Sequence, residues 1–179
     1  MYSITKVFWL FGRSGAGKTT LALSVCSRLK TTAIPVAYLD ADELRATLCS
    51  DLNFSPAAHL ENHRRIAEVA RHLATQNLNV VVSTMAPEYA QRDRVAGILR
   101  ERLVWFHIHA PLEACIQRDP KGLYRRAKNG QVKNLVDYPF DLPRPHECRN
   151  RIDTTKQNVE ACCDSIVRVV RTELADFAI

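Results

Sequence analysis

Gly12-Arg13-Ser14-Gly15-Ala16-Gly17-Lys18-Thr19 satisfies the pattern G-x-x-x-x-G-K-[ST], and it lies between an apolar run, Lys6–Phe11, and a helix-like pattern, Thr19–Lys30. Glycines allow the backbone to turn so that successive N–H groups point inward at phosphate oxygens, and the following helix adds the partial positive charge of its N-terminus. The stretch therefore predicts a nucleotide cradle built from Gly12, Ser14, Gly15, Ala16, Gly17, Lys18, Thr19 and Thr20. In such a P-loop, Lys18 bridges the β- and γ-phosphates of ATP and the Thr19 hydroxyl serves Mg²⁺.

Outward from the loop, apolar β-branched runs at Lys6–Phe11, Pro35–Leu39, Asn79–Ser83 and Leu103–His109 alternate with helical patterns at Thr19–Lys30, Pro56–Gln76, Tyr89–Arg100 and Pro111–Asp119. A short Arg151–Asp153 strand and a closing helix over Gln157–Phe177 complete the pattern. Strictly alternating strands and helices predict an α/β fold: three layers, with a mostly parallel five-stranded sheet between helices. The 179 residues suit one domain, 1–179, with a real core. No apolar run is long enough to span a bilayer, and the first eleven residues read as a core strand, not a signal peptide. A cytoplasmic protein with no membrane partner is the expectation, and its six cysteines, none in C-x-x-C spacing, read as reduced and mostly buried.

The chain carries a net charge of +6, and residues 118–151 hold nine Lys/Arg against four Asp/Glu. This excess suits a phosphate-rich ligand. A basic nucleic-acid binder would use the same electrostatics, but no nucleic-acid-binding motif accompanies the charge. The stretch 133–149, with Pro139, Pro143 and Pro145, reads as a closing loop, so that 118–149 forms a lid over the substrates. The apolar strand through Val80–Val82 ends in Ser83, Thr84 and Met85, where a metal-orienting acid is ordinarily found. The acids come earlier, at Asp40 and Asp42, as a helix cap or as groups that orient Mg²⁺ waters or accept a proton from an attacking hydroxyl. His59 and His63 stand four apart on a helix with no third metal ligand at suitable spacing, and His107 and His109 share one strand face as structural histidines.

Several stretches resemble the adenylylsulfate kinase family: FGRSGAGKTT (11–20), LDADELRATLCSDLNFS (39–55), ENHRRIAEVA (61–70), APEYAQRDRV (86–95), APLEACIQRDPKGLYRRAKNG (110–130) and a late DTT (153–155). The resemblance runs nearly end to end and implies ATP·Mg²⁺ as donor, the 3′-hydroxyl of adenosine 5′-phosphosulfate as acceptor, and a homodimer. It casts Asp42 as the catalytic acid, Lys121 as the lid lysine beside Lys18, and Arg118 as a donor contact. Arg45, Phe54 and Asn62 become acceptor contacts, and Asp40, Ala86 and Leu135 fall on the same acceptor side. From the residues alone, Phe54 can stack on a base or fill the core, and Arg45 can pair a phosphate or a neighbouring acid.

The chain also departs from that family. Asp-Gly-Asp becomes Asp40-Ala41-Asp42, an acceptor-holding arginine becomes His59, and a serine becomes Ala86, which removes any phosphoserine there. An arginine becomes Tyr89, and the loop after the lid is shortened to KNLVDYPFDLP (133–143). These changes leave the donor chemistry intact and open the acceptor to a related nucleotide such as cytidine diphosphoramidate. A nucleotide-binding partner protein without catalysis is the alternative of another class.

Overall fold

The computed structural model describes residues 5–131 and 140–175. Five strands form one sheet: β1 (Val7–Phe11), β2 (Val36–Asp40), β3 (Asn79–Thr84), β4 (Leu103–His109) and β5 (Arg151–Asp153). Their order is β2-β3-β1-β4-β5, and every pairing is parallel. Parallel neighbours need crossovers, and helices α1 (Lys18–Thr31), α2 (Ala41–Ala46), α3 (Pro56–Thr75), α4 (Tyr89–Leu99), α5 (Leu112–Arg118), α6 (Leu123–Lys128) and α7 (Val159–Ala175) supply or decorate them.

Alternation along β1 separates two apolar layers. Phe8 and Leu10 pack with Leu21, Val25 and Leu29 of α1 and Cys163, Ile166 and Val170 of α7. Val7, Trp9 and Phe11 pack on the other face with Ile66, Ala67 and Ala70 of α3 and Val95 and Leu99 of α4. All five β1 side chains are buried, as both faces of a helix-covered sheet require. Helix α3 begins where its sequence says it should: Ser55 caps it by accepting the Ala58 N–H, and Pro56 follows at the first helical position.

Helix α6 has no counterpart in the periodicity because six residues are too few to show one. Its start is set by Asp119, whose carboxylate accepts the Tyr124 and Arg125 N–H groups, with Gly122 in the left-handed region. All six cysteines are free, five of them buried. His107 lies stacked between the rings of Phe11 and Phe140, with Nδ1 3.7 Å from Cys148 Sγ. Among the described residues no helix is long and apolar enough to cross a membrane.

Burial, reinforced by His109 and by the cations Arg151, Arg92 and Arg13, lowers the His107 pKa from its ordinary 6.5 to about 4. A depressed histidine pKa stabilises the fold above pH 6.5, where the unfolded chain is also neutral, and this contribution is lost as pH falls from 6.5 towards 4. His107→Phe keeps the aromatic stack and should flatten the acid side of the stability curve by up to about 1.4 kcal/mol per pH unit, measured as urea midpoints between pH 7 and 4.5. An unchanged slope would remove His107 from the acid response.

Candidate active site

The loop after β1 closes into a cleft of about 600 Å³ at the carboxyl ends of the strands, lined by Ser14, Gly15, Gly17, Lys18, Thr19, Asp40, Asp42, Ser83, Thr84, Arg118, Lys121 and Thr154 among others. The loop backbone packs against the rest of the sheet. A Cβ on Gly12 would stand 2.1 Å from the Ile108 carbonyl oxygen, and one on Gly15 would stand 2.7 Å from that of Cys115. Thr154 donates its hydroxyl to the Ala16 carbonyl at 3.0 Å, and Arg118 spans from the Gly15 carbonyl to the Thr154 hydroxyl and carbonyl. The late DTT stretch is therefore a brace for the loop, and Arg118 is held beside it.

Lys18 turns back onto its own loop, with Nζ 2.8 Å from the Arg13 carbonyl oxygen. Burial pulls its pKa down to about 8, against the opposing pull of Asp42. A cationic amine held this way can exchange a carbonyl for phosphate oxygens. The Thr19 hydroxyl lies 3.2 Å from Asp40 Oδ2, leaving oxygen lone pairs for a cation while its proton stays on the carboxylate. Among the described residues no group of three or more His, Cys, Asp or Glu side chains could hold a metal unaided. A hydroxyl with one nearby acid fits Mg²⁺, which is held largely by nucleotide phosphates and water.

Asp40 ends β2 and caps α2, accepting the Asp42 N–H at 2.8 Å, so Asp42 lies in the first helical turn and is not the cap. Its side chain is 74% exposed at the cleft mouth and is ion-paired with Lys121. Burial works against the Lys121 ammonium, but the Asp42 carboxylate outweighs it and holds the lysine pKa above its ordinary value. β3 thus ends in Ser83 and Thr84 with no acid, and the carboxylate beside the Thr19 hydroxyl is Asp40, at the end of the neighbouring strand β2.

A second group lies on the flank formed by α2, the loop after it and α3. Arg45 donates to the Asn53 carbonyl oxygen, and its guanidinium sits 4.9 Å over the Phe54 ring. Phe54 is 80% exposed, so it does not fill the core, and the His59 ring lies 6.1 Å from it. Burial, then the Arg45 charge, lowers the His59 pKa. One turn on, Asn62 is only 5% exposed, and its Oδ1 has no hydrogen-bond partner among the described residues. Arg45, Phe54 and His59 therefore come together as an aromatic and polar surface, with Asn62 buried one turn beyond His59 on α3. His63 is not a metal ligand beside His59: its Nε2 lies 3.0 Å from the Thr84 hydroxyl and its Nδ1 2.8 Å from the His59 carbonyl.

Ala86 is apart from this group. Its methyl is fully buried in the α3–α4 layer, and its carbonyl accepts from Arg92. Tyr89, 37% exposed, is tied to the segment 141–144. Its N–H donates to Asp141 and its hydroxyl to the Leu142 carbonyl, while Arg92 and Arg144 lie 4.9 and 4.4 Å over its ring. Arg92, fully buried, pairs with buried Glu147 at 3.0 Å. Sequence reasoning missed this buried pair, because the two residues are 55 positions apart and neither spacing nor composition links them. Leu135 and residues 133–139 of the closing loop lie outside the described residues.

A parallel sheet with a G-x-x-x-x-G-K-T loop, a braced cationic cleft and a carboxylate at its mouth defines the class of P-loop phosphotransferases. The model of the adenylylsulphate kinase family matches residues 4–152, so the chain belongs to that family. It is 34% identical over 167 residues to the adenylyl-sulfate kinase of Clostridium acetobutylicum, covering 92% of this chain and 82% of that protein. It is 38% identical over 168 residues to the adenylyl-sulfate kinase of Synechococcus sp. (strain JA-3-3Ab), covering 92% and 93%. The solved Mycobacterium tuberculosis APS kinase CysC, in complex with AMPPNP and APS, superposes with a TM-score of 0.88 at 29% identity, covering 95% of this chain and 99% of that one.

Arg92→Met removes the close cation from buried Glu147, leaving it the Arg144 N–H at 2.7 Å and the Arg144 guanidinium at 3.9 Å, and should cost about 3 kcal/mol of stability, whereas Tyr89→Phe loses one neutral hydrogen bond and should cost about 1 kcal/mol. Urea unfolding checks both. Equal small losses would show that the ion pair is not what anchors residues 140–147.

Proposed function

We propose that this protein transfers the terminal phosphoryl group of ATP to the 3′-hydroxyl of adenosine 5′-phosphosulfate, giving 3′-phosphoadenosine 5′-phosphosulfate. The observation that carries this reading is the Lys121–Asp42 ion pair at the mouth of the phosphate cradle, with Arg45, over the Phe54 ring, on the same helix as Asp42. Binding a nucleotide requires the cradle alone. An exposed acid poised beside it, in reach of a second ligand, is what transfer to a hydroxyl requires.

Donor phosphates sit against the loop N–H groups and the N-terminus of α1, where Lys18 leaves the Arg13 carbonyl to reach them. Thr19 would hold the Mg²⁺ of the nucleotide through its hydroxyl oxygen, and the ion would supply charge neutralisation on the phosphates. The acceptor base stacks on Phe54, Arg45 meets its 5′ anionic group, and Asn62 Oδ1 accepts from the base. Asp42 takes the proton of the attacking hydroxyl as the oxygen–phosphorus bond forms and the bond to the β-bridging oxygen breaks. Lys121, released from Asp42 as that carboxylate becomes neutral, faces the moving phosphoryl group. No covalent enzyme intermediate is needed, and buried Ala86 provides no hydroxyl for one. Lys18, Asp42 and Lys121 are thus the catalytic set.

A neutral His59 beside Phe54, at the position where the family resemblance expects an arginine, favours a second acceptor reading, a nucleotide with less charge to hold, such as cytidine diphosphoramidate. A homodimer is proposed on the family resemblance, as is a cytoplasmic location on the same ground.

Lys18→Ala should abolish turnover. Asp42→Asn should keep ATP affinity and lower kcat by about 10²–10⁴-fold, the usual worth of a positioned base, and a near wild-type rate would take Asp42 out of the chemistry. His59→Arg should raise kcat/KM for adenosine 5′-phosphosulfate by roughly 10–100-fold if the missing contact is charge-assisted, and no change would remove His59 from acceptor selection.

A further inference from the structure

The interior end of β2 and β3 carries hydroxyls where a helix-covered parallel strand is ordinarily apolar. β3 reads Val80, Val81, Val82 and then Ser83 and Thr84, all buried, and β2 places Tyr38 two residues before Asp40. Residues two apart on a strand share a face, and the β2–β3 register sets Ser83 directly opposite Asp40. The three side chains therefore meet at one point. The Tyr38 hydroxyl lies 2.7 Å from Asp40 Oδ2, Ser83 Oγ lies 3.0 Å from the same oxygen, and the two hydroxyls are 2.8 Å apart. Thr19, from the first turn of α1, is the third hydroxyl on Oδ2, at 3.2 Å, and Oδ1 is occupied by the Asp42 N–H at 2.8 Å.

Counting protons shows what this does. A carboxylate only accepts, and each hydroxyl has one proton to give. With Tyr38 and Ser83 on its inner side and the α2 cap on Oδ1, Asp40 cannot rotate without breaking at least two hydrogen bonds. Three hydroxyls surround Oδ2, which has two lone pairs, so of Tyr38 and Ser83 one gives its proton to the other, 2.8 Å away, and the second lone pair is left for Thr19, whose proton is drawn inward and whose oxygen lone pairs then face the cleft. A Thr19 free to rotate would present its proton to the cleft in part of its rotamers and repel a cation.

We propose that Tyr38 and Ser83 are positioning residues for the Mg²⁺ of the bound nucleotide, acting through Asp40 on the orientation of the Thr19 hydroxyl. The inference rests on the proposed reading that the cleft binds ATP·Mg²⁺. Neither residue touches a reacting atom. Both act by fixing the partner of the one protein hydroxyl offered to the ion.

The test is calorimetric titration of full-length protein with AMPPNP, once in excess Mg²⁺ and once in EDTA, for wild type, Tyr38→Phe, Ser83→Ala and Ser83→Thr. The readout is the ratio of the two Kd values, the gain that Mg²⁺ brings. Loss of a group supporting a metal ligand typically weakens the metal by about 10–100-fold, so Tyr38→Phe and Ser83→Ala should each cut the gain by about tenfold while the EDTA Kd stays within about twofold. Ser83→Thr, which keeps the hydroxyl, should keep the gain. Thermal unfolding of each variant separates this from general destabilisation, since a purely structural role would lower Tm and leave the ratio alone. An unchanged gain in both Tyr38→Phe and Ser83→Ala overturns the inference while leaving the nucleotide reading in place. Wild-type protein that does not bind AMPPNP overturns the nucleotide reading and the inference with it, and wild-type binding with no gain from Mg²⁺ overturns the inference alone.

Discussion

The approach of the Gly12–Thr19 loop to the end of β4 is the constraint on which the site depends. With 2.1 Å between a would-be Cβ on Gly12 and the Ile108 carbonyl oxygen, no side chain fits there, and the loop backbone rests directly on the sheet. Because β1 lies between β3 and β4 in the centre of a buried parallel sheet, its carboxyl end is hydrogen-bonded to strands on both sides. The loop starts from that anchored end. Thr154 and Arg118 then brace its outer side from β5 and α5, so the phosphate-facing N–H groups are held from two directions before any ligand arrives.

A second constraint joins donor and acceptor sides through Asp40. One of its oxygens receives Thr19 of the cradle, and the other receives the N–H of Asp42. Burial disfavours its charge, but the hydrogen bonds from Tyr38, the Asp42 N–H and Ser83 outweigh that cost and hold its pKa below the usual carboxylate range. The acid at the cleft mouth is thus set on a helix whose first turn is tied to the phosphate site, and a displacement of either end is felt at the other. Lys121 brings the lid into the same network by pairing with Asp42.

Much of this was legible in the sequence because its signals are local. The G-x-x-x-x-G-K-T loop, the four apolar runs and the Ser55-Pro56 helix start each depend on residues within a few positions of one another. A mostly parallel sheet followed from their alternation, and every pairing in it is parallel. Asp40 and Asp42 could be named, but which of them caps α2 depended on where the strand ended, and strand ends are set by pairing with β3. The Tyr38–Ser83 bracket and the Arg92–Glu147 pair join residues 45 and 55 positions apart, so only tertiary register brings them together. Ala86 and Tyr89 were expected at the acceptor. The first is fully buried and the second is tied to Asp141 and Leu142, while His59 is the departure that lies beside Phe54.

The central claim is that this cleft phosphorylates adenosine 5′-phosphosulfate. Mass spectrometry of the products formed by purified protein from ATP, Mg²⁺ and a panel of adenosine 5′-phosphosulfate, cytidine diphosphoramidate and simple nucleoside monophosphates tests it most directly. The account predicts that 3′-phosphoadenosine 5′-phosphosulfate accumulates fastest. ATP hydrolysis with no phosphorylated nucleotide, or preferential phosphorylation of another member of the panel, would contradict it.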